Sequence, residues 1–131
     1  IKTTDALTLY SSYLYRAKDL GLPGDSRDYA LRESRLADCH LIDESYKLAE
    51  IAYEKASLLW QHLDNDCNAG IALLRGGYAR QRRGKNISDL TEDLEKAVSD
   101  IGAAYGMESV YHQVGRMLYR EIIRGAHQSD S

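Results

Sequence analysis

The sequence contains no phenylalanine, one proline, one tryptophan and two cysteines among its 131 residues. With Pro23 as the sole proline, little in the chain interrupts helices. Cys39 and Cys67 are too few for a disulfide framework, and we expect both to be reduced, packed thiols. No apolar run reaches the roughly 18 residues of a membrane span, and no signal-peptide pattern is present. These absences favour an intracellular protein, cytoplasmic or nuclear, with no membrane partner.

The rest of the composition is that of one globular domain. Apolar residues make up 44% of the chain and charged residues 28%, which is typical of a folded protein rather than a disordered one. The length predicts a single domain over residues 1–131, either complete or a segment of a longer array. Tyrosine occurs ten times, and its polar hydroxyl suits half-buried faces better than a sealed core.

Apolar residues recur with helical spacing along almost the whole chain. Leu90, Leu94, Ala97 and Ile101, for example, follow one another at steps of three and four. No segment alternates apolar and polar residues for long enough to predict a strand. We therefore predict an all-α fold of about six antiparallel helices joined by short connections. The predicted helices are residues 4–20, 26–42, 44–62, 68–83, 88–104 and 107–124, followed by a frayed tail at 125–131.

Small residues recur with a period near 40, which indicates stacked helical hairpins. Ala37, Gly77 and Gly115 are separated by 40 and 38 residues. A second series has steps of 39 and 41 residues and consists of Ala17, Ala56 and Ala97. Two helices approach closely where a side chain shrinks to alanine or glycine. The recurrence therefore predicts the same contact in each repeated unit.

The segments around these small residues resemble the tetratricopeptide repeat. The matching segments are Leu36-Ala37-x-x-His40 with Tyr46-x-x-Ala49-x-x-x-Tyr53-x-x-Ala56, then Gly76-Gly77 with Leu90-x-x-x-Leu94-x-x-Ala97, and Tyr111-x-x-Val114-Gly115-x-x-Leu118. The period exceeds the family's usual length of about 34 residues. Glu33 and His40 also stand where the family usually has a large apolar and an aromatic residue. Another helical-hairpin solenoid and a non-repeating bundle are the alternative folds.

The resemblance implies a solenoid segment whose first-type helices line a concave, partly basic groove for a peptide or a partner helix. The residues implied as partner-binding are Tyr78, Arg82, His112, Arg116, Tyr119 and Arg120. The wider lining includes Ser34, Asp38, Leu41, Leu74 and Gln81. Because arginine binds carboxylates through a bidentate fork, the implied partner carries acidic groups. The implied role is a non-enzymatic interaction or scaffold module, and a self-associating scaffold segment is an alternative.

A basic cluster lies between two acidic parts of the chain. It contains five cations and no acid, namely Arg75, Arg80, Arg82, Arg83 and Lys85. One interpretation is structural, since cations stabilise the negative end of a helix and pair with neighbouring acids. A site for an acidic protein segment and a nucleic-acid site are the alternatives. The overall net charge of −3 speaks against the nucleic-acid site, because such domains are usually basic as a whole.

No set of residues predicts catalysis, a metal or a cofactor. Cys39 and His40 are adjacent in sequence, and adjacent side chains on a helix point apart. That is poor geometry both for chelating a metal and for a nucleophile with its base. His62 and Cys67 are the other pair of soft ligands in the chain. We therefore expect a protein without enzymatic activity, cofactor or metal.

Overall fold

Five α-helices and one 3-10 turn make up most of residues 27–129, the part of the chain that the computed structural model describes. They are α1 (Arg27–Ile42), α2 (Tyr46–His62), α3 (Asp66–Arg82), the 3-10 turn (Ser88–Leu90), α4 (Thr91–Tyr105) and α5 (Val110–Ser129). No strand occurs in this range, which confirms the predicted all-α class. The predicted helix at 4–20 lies outside the described residues, so five helices are observed where the sequence predicts about six. None of the five is long and apolar enough to cross a membrane.

The boundary between α4 and α5 differs from the prediction. Helix α4 ends before Gly106, whose φ of +99° suits glycine and strains other residues. Helix α5 begins at Val110 instead of 107, and the Ser109 hydroxyl accepts a hydrogen bond from the His112 amide at 3.1 Å. The helix continues to Ser129, so most of the predicted frayed tail is helical.

Helix α3 lies at the centre of the packing, because it contacts α2, α4 and α5. Helix α1 packs on α2, and α4 packs on α5. The four links are residues 43–45, 63–65, 83–87 and 106–109, with the 3-10 turn following the third link. Consecutive helices are therefore neighbours in space, as the short connections predict.

Two apolar clusters form the core, and α3 contributes to both. The first lies between α1, α2 and α3 and surrounds the buried rings of Tyr53 and Trp60. Its other buried members are all alanines, namely Ala30, Ala37, Ala49, Ala52, Ala56, Ala69, Ala72 and Ala79. The second cluster joins α3, α4 and α5 through larger side chains such as Leu74, Leu94 and Ile122. Because alanine is small, the first three helices can approach closely around the two rings.

The small residues of the predicted repeat within residues 27–129 are buried, but their neighbours are not equivalent; Ala17 lies outside the described residues. A Cβ on Gly77 would lie 3.0 Å from Leu94 Cδ2 on α4, the helix that follows. A Cβ on Gly115 would lie 3.4 Å from Ile101 Cδ1, also on α4, which here is the preceding helix. A strict hairpin repeat places corresponding residues against corresponding neighbours. Gly77 and Gly115 therefore make different kinds of helix contact. The hairpin repeat stays a prediction.

Candidate partner-binding surface

The first residue of the basic cluster forms a half-exposed ion pair between two helices. Arg75 Nη1 on α3 lies 3.1 and 3.2 Å from the two carboxylate oxygens of Asp38 on α1. The hydroxyl of buried Tyr53 on α2 donates to the same carboxylate. Burial first, and then the Asp38 carboxylate, raise the pKa of Tyr53. Asp38, which the resemblance places in a groove, thus ties α1, α2 and α3 together.

Two more arginines of the cluster converge on Glu50, a carboxylate of α2 that is only 5% exposed. Arg83 Nη2 and Nε lie 2.6 and 2.8 Å from Glu50 Oε2, and Arg80 Nε lies 3.8 Å from Oε1. Arg80 Nη2 also lies 3.1 Å from Asp89 in the 3-10 turn. Because a buried carboxylate is costly unless it is paired, these arginines stabilise the contact between α2 and α3.

Arg82 and Lys85 are the exposed remainder of the cluster, and neither forms an ion pair within residues 27–129. The Arg82 guanidinium lies over the ring of Tyr46, 5.7 Å from its centroid, which is a cation–π arrangement. Together with Tyr78, Arg82 lines a cavity of about 470 Å³ between α3 and α5, here called the α3–α5 cavity. Within the basic cluster, Arg75, Arg80 and Arg83 therefore form ion pairs between elements of the fold, Arg82 lines this cavity and Lys85 does neither.

The structure does not bring the six predicted partner-binding residues into one groove. Tyr78 and Arg82 line the α3–α5 cavity. The other four line a separate cavity of about 370 Å³ between α4 and α5, here called the α4–α5 cavity, and they are His112, Arg116, Tyr119 and Arg120. The face of α5 that the resemblance assigns to the concave side therefore turns toward α4.

Two residues assigned to the groove belong instead to the core. His112 is 2% exposed, and its Nδ1 lies 2.9 Å from the carbonyl oxygen of Met107. Leu74 is buried in the second apolar cluster. His112 packs against Gly102 of α4, where a Cβ would lie 2.8 Å from His112 Cδ2, and Gly115 packs on Ile101, so this face of α5 turns inward. Sequence spacing alone does not fix that rotation.

Charged and apolar side chains share the α4–α5 cavity. Met107 contributes apolar surface, while Arg116 and Arg120 approach from α5. Neither arginine forms an ion pair with any described residue. The carboxylate of the cavity, Glu95, accepts a hydrogen bond from the Tyr119 hydroxyl at 2.9 Å. Burial and this carboxylate raise the pKa of Tyr119, so the phenol keeps its proton to a higher pH than an ordinary tyrosine does.

An exposed apolar strip runs along α5 beside this cavity. Val110, Val114 and Met117 are 71%, 54% and 63% exposed. Their spacing of four and three residues places them on one face of the helix. Arg116 and Arg120 border the strip on the side of α4. These five residues are called the α5 surface below.

Two exposed tyrosines extend the apolar area at the start of α5. The rings of Tyr105 and Tyr111 stack with their centroids 4.4 Å apart and an interplanar angle of 27°. Tyr111 and Val114 carry part of the family resemblance, yet both lie at the surface. These two residues of the signature are therefore available for contacts outside residues 27–129, whereas Leu118 packs on the second apolar cluster.

Neither cysteine has the environment of a reactive thiol. Burial raises the pKa of both Cys39 and Cys67, whereas nucleophilic cysteines have a lowered pKa. The neighbouring His40 has its pKa lowered by burial, and its Nδ1 is buried without a hydrogen-bond partner among the described residues. Across the same residues, no group of three or more His, Cys, Asp or Glu is placed to hold a metal ion.

The sequence contained a signal for the α5 surface. Val110, Val114 and Met117 follow the i, i+4, i+7 spacing of an apolar helix face. That spacing is also typical of a face that packs on the core, and the position of α3 and α4 decides which face is covered.

No protein-family model, curated protein or solved structure matches the chain. The α5 surface and the two cavities are thus the features on which a function can be based.

Proposed function

We propose that this domain is a non-enzymatic interaction module that binds an acidic, amphipathic helix of a protein partner on the α5 surface. The observation that carries the proposal is the exposed strip of Val110, Val114 and Met117 beside two arginines that pair with no described acid. Exposed apolar patches rimmed by polar residues mark protein interaction sites. An amphipathic helix packed along such a strip places its own apolar residues at the same spacing.

The apolar strip supplies affinity in this arrangement. Full burial of a Val or Met side chain stabilises a contact by about 1.5–3 kcal/mol, and a docked helix covers a large part of that surface. The α4–α5 cavity shares Arg116 and Arg120 with the α5 surface and can accept one apolar side chain of the partner against Met107. The partner therefore needs an apolar face with a bulky residue near its middle.

The two arginines supply selectivity. Arg116 and Arg120 lie one helical turn apart, so carboxylates on one edge of the partner helix can reach both. Arginine binds carboxylates through two parallel hydrogen bonds, which adds geometric specificity. A partner helix with lysines on this edge would be repelled.

An acidic partner fits this surface better than a second copy of the chain. An antiparallel pair of α5 helices related by a two-fold axis would align the Arg116 and Arg120 edges of both copies. Like charges brought together in this way oppose association. The chain as a whole is acidic, and Arg75, Arg80 and Arg83 already hold carboxylates, so a nucleic-acid role is also less favoured. The tetratricopeptide resemblance supports the same class of function, since it implies capture of a peptide or helix.

The test is fluorescence anisotropy with a synthetic helical peptide whose leucine stripe is bordered by glutamates. We expect saturable binding that weakens as salt is raised. The double substitution Arg116→Glu and Arg120→Glu should weaken binding by about tenfold or more, because attraction becomes repulsion. The substitution Met117→Gln should weaken binding at every salt concentration, since it removes apolar contact.

The matched control is the double substitution Arg35→Glu and Lys47→Glu, which reverses two exposed cations on α1 and α2. It makes the same change in net charge at a distance from α5 and should leave binding close to that of the unaltered protein. A control peptide with lysine in place of every glutamate should not bind. Equal weakening by both double substitutions would refute the proposal, because the effect would then be one of net charge alone.

A further inference from the structure

We infer that the α3–α5 cavity is a second carboxylate-binding site, separate from the α5 surface, which takes Asp or Glu side chains from an acidic protein segment. The cavity measures about 470 Å³ and has donors on two helices: Tyr78, Gln81 and Arg82 from α3, and Arg124 from α5. A phenol, an amide and two guanidinium groups are a donor set that suits an anion.

Arg82 is the residue best placed to bind the anion. Its guanidinium lies 5.7 Å from the centroid of the Tyr46 ring, and this contact restrains it at the exposed end of α3. It forms no ion pair with any acid in residues 27–129, whereas Arg80 and Arg83 on either side are held by Glu50. Arg80 and Arg83 therefore pair with an acid of the fold, whereas Arg82 can bind an external carboxylate.

The charge of the cavity agrees with this assignment. Its single carboxylate, Glu121, is engaged by Arg124 at 2.9 Å. Two guanidinium groups against one carboxylate leave the cavity positive, and Lys85 follows the lining residue Gly84. The negative end of α3 opposes an anion here, but one exposed helix end contributes less than a bidentate arginine–carboxylate pair.

An acidic protein segment is favoured over a nucleic acid because few cations are available. Nucleic-acid binding draws on several phosphate contacts at once. Of the basic cluster, Arg75, Arg80 and Arg83 are engaged with internal carboxylates. One or two carboxylates in a cavity match the positive groups that remain.

The probe is an oligoglutamate peptide, which has no apolar residues and so cannot use the apolar strip. We expect weak, salt-sensitive binding to the intact chain. The binding is observed as changes in the amide NMR shifts of residues 78–85 and 121–125. The substitution Arg82→Gln should weaken this binding by about tenfold, since it removes the charged donor. Arg82 is exposed, so the substituted protein should fold, and circular dichroism verifies this.

The matched control is Arg35→Gln, which removes one exposed cation on α1 and should leave oligoglutamate binding unchanged. Retention of binding in Arg82→Gln together with its loss in the double substitution Arg116→Gln and Arg120→Gln would overturn the inference and assign the peptide to the α5 surface. Absence of any binding at low salt would overturn it as well, without affecting the helix-binding proposal, whose probe carries leucines. If a single-stranded nucleic acid of mixed sequence bound more tightly than oligoglutamate, and did so through Arg82, the choice of a protein ligand would be overturned.

Discussion

At the residue scale, two glycines show how closely the helices approach. A Cβ on Gly70 would lie 3.1 Å from the carbonyl oxygen of Ala97 and 3.2 Å from its Cα, both backbone atoms. A Cβ on Gly115 would lie 3.4 Å from Ile101 Cδ1 and 3.6 Å from Leu74 Cδ1, which is ordinary contact with side-chain ends. Alanine favours a helix over glycine by about 1 kcal/mol. The two glycines therefore differ in whether that gain can be realised.

We predict that Gly115→Ala raises the free energy of unfolding by up to about 1 kcal/mol, since the new methyl group fits. We predict that Gly70→Ala lowers it, because α3 and α4 must move apart to admit the methyl group. Urea denaturation of the two variants measures both effects. A gain in stability for Gly70→Ala would contradict the close backbone contact between α3 and α4.

Glu50 offers a second test at this scale. The substitution Glu50→Gln removes the charge that Arg80 and Arg83 bind, and we expect a loss of about 1.5–3 kcal/mol. The control Glu54→Gln, on the exposed side of the same helix, should change stability by less than about 0.5 kcal/mol. Thermal or urea denaturation at neutral pH compares the two. Similar small effects for both would mean that the Glu50 pairs do not stabilise the fold.

The raised pKa of Tyr53 predicts a loss of stability at high pH. The folded state keeps the phenol proton where the unfolded state has lost it, so stability is full below about pH 10 and falls as the pH rises further. The substitution Tyr53→Phe should make this decline shallower, although it also removes the hydrogen bond to Asp38. Urea denaturation between neutral pH and pH 11 gives the slope, and an unchanged slope would contradict the shift.

Single residues also show where sequence reasoning succeeds and where it stops. The burial of Ala37, Gly77 and Gly115 follows from their recurrence, because small residues mark helix contacts. The burial of His112 does not follow, since a histidine at a helix surface and one in a core look alike in sequence. Which helix a glycine touches depends on contacts between distant segments, and no local pattern records it.

At the scale of elements, alanine determines how α1, α2 and α3 pack. Ala56 is fully buried among other alanines, so the substitution Ala56→Leu forces three methylene-sized groups into a filled space. We expect a loss of about 1–3 kcal/mol. The control Ala103→Leu lies on the exposed side of α4 and should be close to neutral. Equal stability of the two variants, measured by urea denaturation, would show that the first cluster is loosely packed.

The helices themselves were largely predictable, because apolar periodicity marks them and polar links end them. The bounds of α1 and α2 differ from the predicted 26–42 and 44–62 by one or two residues. Helix α5 differs more, since Gly106 and Ser109 delay its start and its packing on α3 extends its end. The rotation of α5 about its axis was not predictable, and the division of the predicted groove into two cavities follows from that rotation.

At the scale of the whole molecule, the fold explains the uneven distribution of charge along the chain. The basic cluster pairs with acids that precede it, Asp38 and Glu50, and with one that follows it, Asp89. The sequence alone was compatible with this structural role, with binding of an acidic protein segment and with binding of a nucleic acid. It could not assign individual residues of the cluster to one of these roles. The structure makes that division, since Arg82 lines a cavity while Arg75, Arg80 and Arg83 pair with carboxylates of other helices.

The central claim, that the α5 surface binds an acidic amphipathic helix, is tested most directly by amide NMR during titration with the glutamate-bordered leucine peptide. We predict that the largest shift changes fall on residues 105–121, with little change along α1. The exposed apolar residues Leu48, Ile51 and Leu58 on α2 provide an internal comparison and should not respond, because Arg80 and Arg83, which contact this helix, are held by Glu50. Changes centred on α2, or no changes at saturating peptide, would contradict the claim.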